Sequence, residues 1–98
     1  MKISRKNIAR QVRKEYKEGR EWSGLRKDYC YTMMIDVSDG SIWSDCLDRN
    51  RWKEYESDTV ARLNLYGAES YEPVERVEEL YIELAVAKLK EAGHEIIF

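Results

Sequence analysis

The chain has 98 residues, 43% hydrophobic and 37% charged, with 17 Lys and Arg against 19 Asp and Glu for a formal net charge of −2. This length excludes most large enzyme folds and makes one compact domain, residues 1–98, the expectation. One Pro and five scattered Gly argue against disorder, and no run approaches the roughly 18 apolar residues that a membrane helix needs.

Met1-Lys2-Ile3-Ser4-Arg5 passes directly into charged sequence, so no secretory leader is expected. The two cysteines, Cys30 and Cys46, suit a reduced, cytoplasmic protein better than a disulfide scaffold. The charge is segregated. Residues 1–28 carry ten basic and four acidic side chains, and the remaining residues carry seven and fifteen. Such asymmetry predicts a charged partner, or complementary faces within a dimer.

The first predicted element is a basic N-terminal helix. Ser4 is its cap, Ile8, Val12 and Tyr16 form a thin apolar stripe widened by Ala9, and Gly19 is its expected stop. Residues 20–28 read as a connection anchored by Trp22 or Leu25. Residues 29–47 read as an antiparallel hairpin. Tyr29, Tyr31, Met33, Ile35 and Val37 alternate onto one face, Ser38-Asp39-Gly40-Ser41 turns tightly about Asp-Gly, and Ile42–Leu47 returns. Residues 51–66 admit strand or helix. A third strand at Trp52–Glu56 is one option, and a short helix from Ser57-Asp58-Thr59 through Val60 and Leu63 to Gly67 is preferred over a strand at Thr59–Tyr66.

A long C-terminal helix is expected over about 73–92 (71–92 at its widest). Pro73 and several Glu lie at its start, Lys88 and Lys90 near its end, and Gly93 stops it. Its apolar residues (Val74, Val77, Leu80, Tyr81, Leu84, Ala87, Leu89, extended by Ile82, Ala85 and Val86) run nearly all round, which predicts cover on more than one side. A stripe left open within 74–89 would imply a homodimer. Glu95–Phe98 reads as a closing strand. The sum is an α+β domain whose small, mainly antiparallel sheet is built on the 29–47 hairpin and carries both helices.

Catalytic signatures are sparse. Cys30, Cys46 and His94 lack the close ligand spacing of a structural zinc site, so no metal is expected. A Cys–His nucleophile has no local support, and His94 reads as a helix-end residue. Asp36 and Asp39 suit turn formation, Asp45 and Asp48 a solvated edge. No glycine loop cradles phosphate, so no cofactor and no catalytic residue is assigned.

Three Trp, seven Tyr and one Phe are an unusual load for this length. Aromatics mixed with Arg compose a contact surface, and Trp43, Arg49, Arg51, Trp52 and Tyr55 are the predicted partner-binding set. The expected function is non-enzymatic binding of a protein or nucleoprotein target. In size and in lack of a catalytic motif the chain resembles the anti-CRISPR and anti-restriction inhibitors encoded by phages and mobile elements. That resemblance of profile implies a protein that blocks its partner. The alternative is a nucleic-acid-binding regulator that uses Arg10, Arg13, Lys14 and Lys17 on the basic helix.

Overall fold

The computed structural model describes residues 1–25, 32–45 and 51–98, with side chains placed for 1–21, 32–44 and 53–98. The elements run β1 (Lys2–Ser4), α1 (Arg5–Leu25), β2 (Thr32–Asp36), β3 (Ser41–Asp45), a 3-10 helix (Arg51–Tyr55), β4 (Val60–Arg62), a second 3-10 turn (Ala68–Ser70), α2 (Val74–Glu91) and β5 (Glu95–Ile97). This is the expected α+β class. An antiparallel sheet of order β3-β2-β4 lies beside a separate parallel pair, β1-β5.

α1 begins where predicted but does not stop at Gly19. Gly19 is buried and continues the inner face of Ile8, Val12 and Tyr16. Packing of that face outweighs the roughly 1 kcal/mol by which Gly disfavours a helix. Ser4 precedes the first helical residue and also closes β1, in register with Ile97. Three residues, two of them polar, gave no strand signal; β1 exists through its pairing with β5 at the far end of the chain.

The hairpin is present, with a longer loop than the tight Asp-Gly turn predicted. Asp36 pairs with Ser41, which leaves residues 37–40 as a four-residue connection. Two carboxylates shape it. Asp36 Oδ1 accepts from the Ser38 N–H at 2.9 Å and hydroxyl at 2.6 Å, and Asp39 Oδ1 accepts from the Ser41 N–H at 2.9 Å and hydroxyl at 2.7 Å. The Gly40 N–H closes the loop on the Asp36 carbonyl at 2.8 Å, with Gly40 left-handed at φ 80°. The side-chain bonds spread the reversal over four residues. Met33 and Ile35 face the core and Val37 packs against it, as the alternation predicts; Tyr29 and Tyr31 lie outside the described residues.

Residues 51–66 correct the preferred helix. β4 pairs antiparallel with β2, and the Leu63 N–H extends that ladder to the Met33 carbonyl at 2.8 Å. Asn64 Oδ1 then accepts the Tyr66 N–H at 2.8 Å, an Asx turn in place of a helical bond. The aromatic segment before β4 is a 3-10 helix and not the third strand that its sequence also admits.

α2 matches its predicted span within a residue. Pro73 is its N-cap, and its C-terminus is a Schellman motif: Gly93, at φ 94°, donates to the Lys90 carbonyl and His94 to the Leu89 carbonyl, both at 3.0 Å. The His94 ring also bonds through Nε2 to the Val37 carbonyl, tying the helix end to the hairpin loop. Val77, Tyr81, Ile82, Ala85 and Leu89 are buried with Ile8, Val12, Tyr16, Met33, Ile35, Ile42 and Leu63 in one core. Tyr16 and Tyr81 meet at 5.7 Å between ring centroids, tilted by 60°. No helix among the described residues is long and apolar enough to cross a membrane.

Candidate interaction surface

The outer face of α1 is a basic stripe. Its apolar residues fall at Ile8, Val12 and Tyr16, so the helical period places Lys6, Arg10, Arg13, Lys14 and Lys17 away from the core, and all five are exposed. Arg13 Nε reaches Glu78 Oε2 on α2 at 3.4 Å, which ties one of these charges to the neighbouring helix. Arg10 donates only to Asn7 Oδ1, at 3.1 Å. Among the described residues, Lys14 and Lys17 make no ion pair.

One acidic residue in this helix turns inward. The Glu15 carboxylate accepts the Ser44 N–H at 3.0 Å, and the Ser44 hydroxyl lies 2.9 Å from the Glu15 carbonyl and 3.1 Å from Oε2. Among the described residues β3 is an edge strand, and Glu15 satisfies a backbone donor on it. This contact fixes the basic helix along the sheet edge.

The reverse side of the sheet holds part of the predicted aromatic set. Trp43 stands opposite Met34, which also faces Arg62 across β4. Met34 and Thr32 are buried although they point away from the main core, and Trp43 is half-buried. Tyr55 ends the first 3-10 helix and is exposed. Arg51 and Trp52 lie in that helix with side chains outside the described set, and Arg49, Cys30 and Cys46 lie outside the described residues altogether. Of the five residues predicted to form a contact, the structure therefore places Trp43 and Tyr55. Of the four basic residues in the alternative set, it brings all onto the outer side of one helix.

A second surface lies along the open flank of α2. Leu65, Tyr66, Ala68 and Tyr71 form one wall of an open groove of about 580 Å³, and Leu80, Leu84 and Ala87 on α2 form the other. Leu80 and Leu84 are half-buried and Ala87 is exposed, so this flank of α2 is not sealed as its all-round apolar character predicted. Tyr66 and Tyr71 are 87% and 75% exposed. Tyr66 is held at φ 53°, a left-handed conformation that costs a bulky side chain about 1–3 kcal/mol. The sequence signal for the groove was the excess of apolar positions on α2; its other wall follows from a turn that periodicity does not report.

Among the described residues, no three His, Cys, Asp or Glu side chains gather as metal ligands. The Asp36 carboxyl is held below its ordinary value mainly by the Ser38 hydroxyl and then the Ser38 N–H. No family model, no curated protein and no solved structure matches the chain.

Proposed function

We propose that the protein works by binding another macromolecule without turning over a substrate, as a small inhibitor of the anti-CRISPR or anti-restriction type that blocks a partner protein. The observation that carries this reading is the separation of charge onto two helices. The outer side of α1 presents Lys6, Arg10, Lys14 and Lys17, while the outer side of α2 presents Glu75 and Glu79. Faces of opposite sign on so small a body steer one charged partner and fix its orientation. Trp43, Arg49, Arg51, Trp52 and Tyr55 are proposed to supply the apolar and bidentate anchors.

The test is capture from host lysate with and without nuclease, using wild type and a folded Arg51→Ala, Trp52→Ala variant. One dominant protein retained after nuclease and lost in the variant is the expected result. Recovery that disappears with nuclease and survives the variant would overturn it.

The exposed stripe of Arg10, Lys14 and Lys17 favours a second reading, a regulator that lies along nucleic-acid phosphates. Three such contacts predict an affinity that falls with salt at a log–log slope of about −2 to −3. No binding to duplex or single-stranded nucleic acid at low salt would dismiss it.

A further inference from the structure

The geometry points to a second copy of this chain as the occupant of the groove between α2 and residues 65–71, packed across a two-fold axis with the two α2 helices antiparallel. The argument begins with the lining. Leu80 lies midway along the open flank of α2, with Arg76 on one side and Glu83 on the other. Each stands about one helical turn (~3.6 residues) from Leu80. An antiparallel crossing centred on Leu80 sets Arg76 of one copy opposite Glu83 of its mate, and the two-fold repeats the pair. A parallel crossing would oppose Arg76 to Arg76 and Glu83 to Glu83. The charges therefore select the antiparallel arrangement, which is the isologous contact a two-fold dimer requires.

The apolar component is self-complementary as well. The same surface carries a concavity floored by Leu80, Leu84 and Leu65, and two projecting rings, Tyr66 and Tyr71. Burying both rings removes about 300 Å² from water, a substantial part of the roughly 800 Å² that each partner contributes to a specific interface. Tyr66 follows the Asx turn in a left-handed backbone and is the most exposed of the described tyrosines. Arg76 already touches Glu79 at 3.6 Å within its own helix, an exposed pair on the groove's outer side that leaves the guanidinium within reach of the mate. This inference goes beyond the proposed function and holds whichever macromolecule is bound. It leaves the basic stripe of α1 uncovered, so a dimer displays that stripe twice.

Sedimentation equilibrium over a micromolar to submillimolar concentration series tests it. Wild type should follow a monomer–dimer equilibrium. Arg76→Glu and Glu83→Arg each place like charges across the axis and should weaken association at least about tenfold. Both sites are exposed, so far-UV circular dichroism should show the fold unchanged. The decisive step is to mix the two single variants. Each then supplies the charge the other lacks, and a heterodimer should return at wild-type strength or better; the Arg76→Glu, Glu83→Arg double variant should dimerise for the same reason. Glu79→Gln, on the outer side, should dimerise as wild type does. A wild type that stays monomeric throughout would overturn the proposal. So would single variants that dimerise like wild type, or a mixture that stays monomeric.

Discussion

Glu15 is the only described carboxylate of α1 that turns toward the sheet, and removing it is the sharpest test of how this fold is held. In Glu15→Ala the Ser44 N–H on edge strand β3 loses its acceptor, and the Ser44 hydroxyl keeps only the Glu15 carbonyl. Hydrogen bonds to a charged acceptor contribute about 1.5–3 kcal/mol when dry. This one is half-buried, so water can replace part of it, and the expected cost is about 1–2 kcal/mol. Ser44→Ala retains the N–H bond to the carboxylate and should cost less, about 0.5–1 kcal/mol. Because the two groups share one network, the double variant should lose less than the sum, with a coupling of about 0.5–1 kcal/mol. Urea unfolding followed by tryptophan fluorescence reads all four proteins, and Glu15→Ala should also lower the melting midpoint by about 4–8 °C for each kcal/mol lost. A Glu15→Ala midpoint equal to wild type, or strictly additive losses, would show that α1 is docked on β3 by apolar packing alone.

Three further outcomes follow from local geometry. Gly40→Ala and Gly93→Ala both force an L side chain into a left-handed conformation, a strain of about 1–2 kcal/mol, but a Cβ at Gly40 would also sit 3.0 Å from Ile3 Cδ1 while one at Gly93 meets nothing within 4 Å. Gly40→Ala should be the more destabilising in urea melts, and placing both variants in an Ile3→Val background should erase the difference; a persistent gap would contradict this. Leu89→Ala removes a fully buried side chain and should cost about 2–5 kcal/mol, whereas Leu84→Ala on the groove flank should cost about 1 kcal/mol; equal losses would mean the flank is core. Asp36 is held below its ordinary pKa by Ser38, so its contribution is present above about pH 4 and is lost as pH falls through the folded value. Asp36→Asn should therefore be less stable than wild type at neutral pH and converge with it in acid, and a gap independent of pH would refute the assignment.

The elements legible in the sequence were those whose determinants are local. α2 is framed by Pro73 and Gly93 and carries its own period, and Gly93 performs the predicted role in a Schellman motif. The hairpin is written in the alternation of Met33, Ile35 and Val37. What misled were segments decided elsewhere in the chain. Lys2–Ser4 becomes a strand because Glu95–Ile97 returns beside it, and Val60–Arg62 because β2 offers a free edge. Gly19 is tolerated in a helix because that face is buried. The same division holds for the surfaces. The basic stripe could be read from helical spacing, since Arg10, Arg13, Lys14 and Lys17 avoid the positions of Ile8, Val12 and Tyr16. Of the groove only the α2 wall could be, because Tyr66 reaches the other wall through an Asx turn at Asn64 and a left-handed backbone.

The central claim is that the exposed face of α1 is a working surface and not a structural one. The most direct measurement takes the captured partner and compares its affinity for wild type with that for an Arg10→Glu, Lys14→Glu, Lys17→Glu variant at low and high salt. Among the described residues none of these three side chains holds another element in place, so the account predicts an unchanged melting midpoint with a steep loss of affinity, and a wild-type affinity that itself falls with salt. Unchanged affinity in a folded triple variant would contradict it.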